Sequence, residues 1–563
     1  MNVNQALLEK LLGVKQQDLV AGLRGILQTT DYDTFIILSD TGTTLHEFQG
    51  SKKANKCLPG DHVGWEKDQC VLELRDEHPL IVGTVELTNK SKYGLTKRGI
   101  PMYLFTPYNK KYPHFIVGCS EKDTSKNIIG LIKLESWENT FPRGSLQQTL
   151  GTSGDDKAEK EALIWQASPY KWPKHEYQPK QYEHTKRVVL KGFTFHIDPE
   201  GCRDVDDVFT FEQLEDQTWK VTISISDVAS YVEDGSAVDI MASLIGQTLY
   251  DPEGHVLRPM LPAVYSEETC SLLPGKESYG VSLQLLWNGS TLSNPTWLET
   301  QFTVDRSYSY EAFQSSSSPY KQPLAEIASY LAKEDVKDAH KWVEHMMVLY
   351  NTEAGALLKK AGMGILRKHA APDLEKLERY KMHVPDLEQL AFSSAEYCLA
   401  EEEETVHYGL GSAAYAHASS PIRRYADIIN QRVLKKWISH QGHSKDYYIV
   451  PIAMYDMNQR GKEIKRHARD YAFLTAISTG QTIFQGRIME KQLLDNNQLK
   501  IILYVSEWKR MISTTYQALS TNIVLSRDEK TEIDVSDFKE VTITCAFTPN
   551  ARNWKERVIL HIY

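Results

Sequence analysis

Four aspartates, Asp198, Asp204, Asp206 and Asp207, fall in ten positions of the stretch Phe195-His196-Ile197-Asp198-Pro199-Glu200-Gly201-Cys202-Arg203-Asp204-Val205-Asp206-Asp207-Val208-Phe209. Apolar, strand-like residues flank them on both sides, which predicts a loop held at the edge of a core. Carboxylates held ~5 Å apart repel by ~3 kcal/mol per pair at an effective dielectric near ~20. A fold that gathers them needs compensation, and a hard divalent cation supplies it. Magnesium, with manganese as the alternative ion, suits carboxylate oxygens, water and phosphate. That points to phosphoryl chemistry, in which the ion polarises a phosphate, orients an attacking water and stabilises a leaving oxygen. The spacing is not that of a calcium EF-hand: counted from Asp198, the sixth residue is Arg203 rather than Gly and the twelfth is Phe209 rather than Glu. A solvated acidic turn without an ion is the alternative.

A second constellation is Tyr415-Ala416-His417-Ala418-Ser419-Ser420-Pro421-Ile422-Arg423-Arg424-Tyr425-Ala426-Asp427. Ser-Ser-Pro predicts a helix start, with a serine as cap and Pro421 at the first helical position. Arg423 and Arg424 then fall in the first turn. The helix dipole repels cations there, so two arginines imply an anionic ligand that offsets the cost. A surface salt bridge to Asp or Glu is the alternative.

The rest of the chain has to position these segments. Its 563 residues predict three or four domains. No stretch approaches the roughly 20 apolar residues of a membrane span, and the start lacks the pattern of a signal peptide. Seven scattered cysteines give neither a disulfide framework nor a zinc spacing, so a soluble, intracellular, cytoplasmic chain is expected. The net charge of -10 is unlike many nucleic-acid binders, but an acidic body can carry a basic groove.

Residues 1 to about 28 read as a helix. Short strands follow from Tyr32, with turns at Asp40-Thr41-Gly42 and Leu58-Pro59-Gly60-Asp61, and suggest a small barrel. A second β-rich unit opens with Asn89 to Lys111, which holds Lys90, Lys92, Lys97, Arg98, Lys110 and Lys111, no acidic residue, and Tyr93, Tyr103, Phe105 and Tyr108 between them. Bases stack on aromatic rings while cations track phosphates, so this suits single-stranded nucleic acid; a strand pair with solvated lysines and buried aromatics is the alternative. Ser145 to Glu161 reads as a loop and helix start, and Pro169 to Lys191 as a connector. Strands then give way to helices, with Val221–Ser226 a clear strand and 323–333, 336–361 and 452–478 at helical spacing. Residues 481–563 return to strands. The domains expected are 1–85, 86–165, 166–479 and 480–563.

The two constellations lie among ordered blocks that together resemble the ribonuclease II superfamily, which includes ribonuclease R and the eukaryotic exosome nuclease, through the shared RNB domain. The blocks are His196-Ile197-Asp198 with Arg203 to Asp207, Ile225-Ser226-Asp227-Val228-Ala229, Arg258-Pro259-Met260-Leu261-Pro262, Thr269-Cys270-Ser271-Leu272, His407-Tyr408-Gly409-Leu410 and Ser420 to Tyr425. The resemblance spans about 165–480. It implies an α+β multidomain chain with two N-terminal OB or cold-shock-type barrels, a central RNB domain of mixed sheet and helices, and a C-terminal OB-type barrel. It also implies a processive 3′-to-5′ exoribonuclease acting on single-stranded RNA, with Asp198, Asp204 and Asp207 holding metal and Asp206 doing both that and cleavage itself. Arg423 matches the arginine on the scissile phosphate, and Tyr250 the ring stacked on the terminal base.

Arg424, Arg367, His369, Tyr93 and Arg98 are further RNA-binding candidates. Glu344 and His345 read better as part of a core helix with Met346, Met347 and Leu349 buried. Ala418 and Ser419 depart from the family, where an aromatic residue and a threonine are usual. Glu401 to Glu404 is expected on a solvated outer face. A monomer is expected, and recruitment to a larger decay complex is left open.

Overall fold

A computed structural model of the chain describes residues 23–39, 42–73, 78–89, 93–174, 176–181, 186–214, 218–439, 451–478, 480, 482–527, 530–552 and 554–563. Strands β1 (Arg24–Thr29), β2 (Thr34–Leu38), β3 (Thr44–Gln49), β4 (His62–Glu66) and β5 (Gln69–Leu72) form one sheet in the order β3-β2-β1-β4-β5. The helix expected over 1–28 is corrected here for 24–29, which pair with β2 as a strand and bury Ile26 and Leu27; residues 1–22, like Asp40 and Thr41 of the first expected turn, lie outside the described residues.

The second unit closes into a barrel of β6 (Ile81–Val85), β7 (Met102–Pro107), β8 (Phe115–Gly118), β9 (Ile128–Ser136) and β10 (Arg143–Thr152). β10 overturns the loop expected from Ser145, because 145–152 ladder onto β9 through two irregularities of register that bend the strand. Helix α1 (Asp156–Ala167) follows, capped by the Asp155 side chain, which accepts the Ala158 N–H. Phe105 and Tyr108 of the basic segment are core residues, whereas Lys97 and Arg98 are exposed. The sequence admitted both readings; Phe105, with Tyr103, packs into the core shared by the first two units, and Tyr108, just past β7, into the core shared with the C-terminal sheet.

The central sheet is seven-stranded, in the order β11 (Val188–Val189), β18, β17, β14, β13, β12, β19. Here β12 is Phe193–Asp198, β13 Asp207–Gln213, β14 Trp219–Ser226, β17 Glu277–Trp287, β18 Leu292–Thr303 and β19 Arg306–Ser309, while β15 (Leu249–Tyr250) and β16 (Val256–Arg258) form a separate hairpin. On one face Phe195, Phe209, Phe211, Val221, Ile223, Val281 and Leu283 pack against Trp342, Met346, Tyr350 and Leu358. Each such side chain contributes roughly 1.5–3 kcal/mol on full burial. The other face carries hydroxyls that satisfy one another, Thr194 with Thr210 at 2.8 Å and Ser282 with Ser224 and Thr300 at 2.7 Å each.

The helices are α2 (Ala237–Ile245), α3 (Lys321–Ala332), α4 (Ala339–Ala361), α5 (Leu374–His383), α6 (Tyr425–Ser439) and α7 (Pro451–Ser478), with β20 (Ile365–Lys368) and β21 (Glu396–Leu399) paired between α4 and α6. The C-terminal unit is a five-stranded antiparallel sheet, with β22 (Ile483–Leu493), β23 (Gln498–Val505), β24 (Arg510–Gln517), β27 (Glu540–Phe547) and β28 (Val558–Ile562) in the order β24-β23-β22-β27-β28; β25 (Ile523–Leu525) and β26 (Glu532–Asp534) form a hairpin beside it. It is bolted to the second barrel by fully buried Arg557, whose guanidinium pairs with Glu159 and donates to the Tyr108 hydroxyl at 2.9 Å. Among the described residues, no helix is long and apolar enough to cross a membrane.

Candidate active site

The carboxylates sit where two antiparallel strands part. Asp198 ends β12 and Asp207 begins β13, with the loop 199–206 between them. Val205 is fully buried and anchors the loop. The Ser271 hydroxyl donates to the Arg203 carbonyl at 2.6 Å and accepts the Val205 N–H at 3.0 Å. Leu272 N–H donates to the Val205 carbonyl at 3.0 Å and Ser226 N–H to that of Asp206 at 2.8 Å. With Val205 turned into the core, Asp204 and Asp206 are fixed on either side of it.

Each carboxylate then has a distinct environment. The Asp198 carboxylate lies 2.8 Å from Nδ1 of buried His196, whose Nε2 contacts the Ser307 hydroxyl. Asp204 accepts the Tyr250 hydroxyl at 2.8 Å and the Cys202 thiol at 3.6 Å. Asp206 is buried; one oxygen accepts the Ile422 backbone N–H at 2.9 Å and the other the Arg423 Nε at 3.3 Å. Burial pushes Asp206 up to about 7, against the pull of Arg423 and the Ile422 N–H. Asp207 is pushed well above the carboxylate range by burial and then by repulsion from Asp198 and Asp206.

This donor set fits a hard divalent cation. It is all carboxylate oxygen, and two of its acids are held up by burial and like charge, a cost that a bound cation removes. The four carboxylates share a neighbourhood without converging on a point. Among the described residues, the set of three metal-ligating side chains whose donor atoms lie within 4.8 Å of one another is instead Asp251, Glu253 and His255, at the turn of the β15–β16 hairpin. The reason is local: Asp198, Asp204 and Asp206 are each turned toward a protein partner.

The repulsion has a consequence for stability. An acid whose folded pKa is raised favours the folded state at low pH, and that advantage is lost as pH rises from the unfolded pKa to the folded one. Asp207→Asn removes the penalty. Metal-free Asp207→Asn protein is therefore expected to melt higher than wild type at pH 8, by about 2–4 °C for each kcal/mol relieved. The gain should vanish near pH 4, where both forms are uncharged. Thermal melts in chelator across pH 4–8 check this, and a lower melting point at pH 8 would contradict it.

The turn Ser420 to Arg424 differs from expectation. Helix α6 begins at Tyr425, so Pro421 and both arginines precede it and the first-turn dipole argument does not apply. What holds the turn is Asp427, fully buried, which accepts the Ser420 N–H at 2.7 Å and Arg424 at 2.8 Å. Arg424 is thereby committed to bracing the turn. Arg423 is half exposed and donates to Asp206 and, at 3.2 Å, to the Ser420 hydroxyl. Burial alone would lower its pKa, but Asp206, Tyr250 and Asp207 outweigh it and hold the guanidinium charged. Buried Asn351 supports the turn from α4, accepting the Ala418 N–H at 2.9 Å and donating to the Ser419 hydroxyl at 3.0 Å. Ala418 is wholly buried in the core, so its small side chain is accommodated.

Tyr250 is tied to the same turn. Thr248 N–H donates to the Arg423 carbonyl and Tyr425 N–H to that of Gly246, each at 2.9 Å. Gly246 sits at φ 76, where a Cβ would meet the Arg460 side chain at 2.9 Å. Tyr310 is a residue that sequence reasoning missed. The parallel pairing of β12 with β19 sets Asp198 beside Ser309, next to Tyr310. The Tyr310 phenol is pushed up by burial and then by Asp198 and Asp207, and its ring stacks on His340 at 3.9 Å. Two tyrosines thus flank the carboxylates, Tyr250 toward Asp204 and Tyr310 toward Asp198 and Asp207.

The remaining candidates are spread out. Arg367 lies over the Tyr397 ring at 4.7 Å, and the Tyr397 hydroxyl meets His417 Nδ1 at 2.8 Å. Burial and the neighbouring Arg424 and Arg367 push His417 well down, which keeps it neutral. His369 is engaged by backbone, with Nδ1 accepting the Gly409 N–H at 3.2 Å and Nε2 at 2.8 Å from the Ser393 carbonyl. Tyr93 meets Phe141 edge-on, and both Tyr93 and Arg98 belong to the segment between β6 and β7 of the second barrel. Glu344 is exposed and pairs with Lys341, with Met346 buried behind it. Glu401, Glu403 and Glu404 face solvent, while Glu402 turns in to Lys368 at 2.8 Å.

Against known proteins, the family described as RNB domain matches residues 188–323 and 313–440, a span that holds the aspartates and Arg423. The Dis3-like cold-shock domain 2 matches 102–168, in the second barrel. Residues 188–440 are thus an RNB domain, and through it the chain is similar to the RNB-domain ribonuclease superfamily. Ribonuclease R of Buchnera aphidicola is 25% identical over 496 residues, covering 71% of this chain and 66% of the relative. The human exosome complex exonuclease RRP44 is 23% identical over 423 residues, covering 59% and 44%. The chain thus spans less than two-thirds of the length of either relative. Mycoplasma genitalium RNase R, solved with ribose-methylated single-stranded RNA, superposes with a TM-score of 0.67 at 17% identity, over 96% of this chain and all of that one. Yeast Ssd1, described as a pseudonuclease, superposes with a TM-score of 0.62 at 16% identity, over 93% and 81%. The RNB fold thus occurs with and without catalysis, so the side chains carry the functional argument.

Proposed function

We propose that the chain is a magnesium-dependent, processive 3′-to-5′ exoribonuclease of the ribonuclease II type, hydrolysing single-stranded RNA to nucleoside 5′-monophosphates. One contact carries the reading: Asp206 grips the Ile422 N–H and the Arg423 guanidinium from 216 residues away in sequence, joining a carboxylate loop to a phosphate-binding cation. A merely structural cation site would not need that cation.

Asp198, Asp204 and Asp207 would hold the ion, with Asp206 beside them. A bound magnesium would polarise the scissile phosphate and lower the pKa of a coordinated water. Asp206, held by the Ile422 N–H and the Arg423 guanidinium, can orient an attacking water and accept its proton. The water oxygen bonds to phosphorus, the bond to the preceding 3′-oxygen breaks, and that oxygen leaves with a proton. The terminal nucleotide departs as a 5′-monophosphate. Arg423 offsets the charge building on the phosphate oxygens. Tyr250 offers a ring to the terminal base, and the barrels grip backbone and bases without sequence preference. The chain is read as a monomer that acts in the cytoplasm.

The polarity is tested by blocking one RNA end at a time. A 3′-terminal phosphate or a stable 3′ hairpin is expected to slow decay at least about tenfold, and a blocked 5′ end to leave it unchanged. The reverse pattern would contradict the assignment.

A further inference from the structure

Helix α7 buries Met457, His467, Asp470, Phe473 and Leu474 and exposes Lys462, Lys465, Arg466 and Arg469. Spacings of three and four residues put these cations on one face. Lys462 pairs with Glu396 at 2.8 Å. Among the described residues, no carboxylate comes within ion-pair distance of Lys465, Arg466 or Arg469, in a chain whose net charge is -10. Buried Asp470, four residues on from Arg466, holds Arg510 of β24 at 2.5 Å and Lys555 at 3.6 Å and offsets only part of the repulsion on Arg469. The cations also repel one another. Lys465 is pushed down by burial and then by Arg367 and Arg469, and Arg469 by burial and then by Arg510. Arg367 acts on Lys465 and lies over Tyr397, whose hydroxyl meets His417 on the approach to the Arg423 turn, so the cations of α7 lead toward the site.

We propose that this face is a phosphate track, on which the backbone of single-stranded RNA lies along Arg469, Arg466 and Lys465 with its 3′ end directed past Arg367 to the carboxylates. A polyanion is the occupant that removes the repulsion, and exposed lysine and arginine at helical spacing contact phosphates without reading bases. The proposal rests on the reading of the substrate as RNA.

The test is fluorescence anisotropy of a labelled unstructured RNA of about 30 nucleotides with the full chain in chelator, so that cleavage plays no part. The triple variant Lys465→Gln, Arg466→Gln, Arg469→Gln is expected to reduce the slope of log Kd against log salt by about 2. That corresponds to about 100-fold weaker binding at 0.1 M salt, at roughly 0.7 per phosphate contact on a single strand. The charge-keeping triple Lys465→Arg, Arg466→Lys, Arg469→Lys should stay within about threefold of wild type. A glutamine triple with the wild-type slope overturns the track and leaves the ribonuclease reading standing. Equal losses in both triples also overturn it, because charge would not be the cause. A wild-type chain that binds no RNA at any salt overturns the track and the ribonuclease reading together.

Discussion

Asp206→Asn is expected to lower cleavage of single-stranded RNA by at least about three orders of magnitude, about 4 kcal/mol of transition-state stabilisation, while RNA affinity stays within about threefold. The amide matches the carboxylate in size and can still accept the Ile422 N–H with its oxygen. Its nitrogen then faces the Arg423 Nε, donor against donor, so the guanidinium loses its anchor. The variant also lacks the carboxylate that accepts the proton of the attacking water. RNA affinity survives because the barrels and the cations of α7 are untouched. Single-turnover cleavage and anisotropy, measured on one preparation, separate the two effects. Turnover equal to wild type would remove Asp206 from the chemistry.

Arg423→Ala is expected to cost about 10²–10³ in kcat/KM, and Arg423→Lys to recover less than about tenfold of it. The guanidinium binds Asp206 through Nε and the Ser420 hydroxyl through a terminal nitrogen, and it remains half exposed for a phosphate. A lysine ammonium is one point of charge and cannot satisfy Asp206 while reaching substrate. Near wild-type activity in the lysine variant would mean that charge alone matters there and that the fork geometry does not.

Much of the fold was legible because its signals are local. Val221–Ser226 alternates as a strand, helices α3, α4 and α7 follow their apolar period, and the multidomain α+β architecture follows from the ordered blocks. The misreadings came where tertiary pairing overrides local composition. Residues 24–29 and 145–152 look unlike strands on their own, but each gains a ladder from a neighbour. Ser-Ser-Pro is a good cap signal, yet buried Asp427 claims the Ser420 N–H, so the chain makes a turn first and α6 starts four residues after Pro421.

The site was legible as residue types and less so as geometry. Spacing picked out the aspartates and Arg423, but it could not tell that three of the carboxylates each take a protein partner. Tyr310 gave no signal, because only the parallel pairing of β12 with β19 brings it to Asp198. Arg424 and Arg423 look equivalent in sequence and are not: one is spent on Asp427 and the other faces the site.

Asp206 and Arg423 are proposed to complete a metal-dependent centre that removes nucleotides from a 3′ end. The most direct measurement is a time course of 5′-labelled single-stranded RNA incubated with magnesium, with and without chelator, resolved to single nucleotides. Label is expected to pass from full length to progressively shorter products or a short end product, with no labelled mononucleotide at early times, and chelator is expected to stop the reaction. Immediate release of a labelled mononucleotide, or the same decay in chelator, would contradict it.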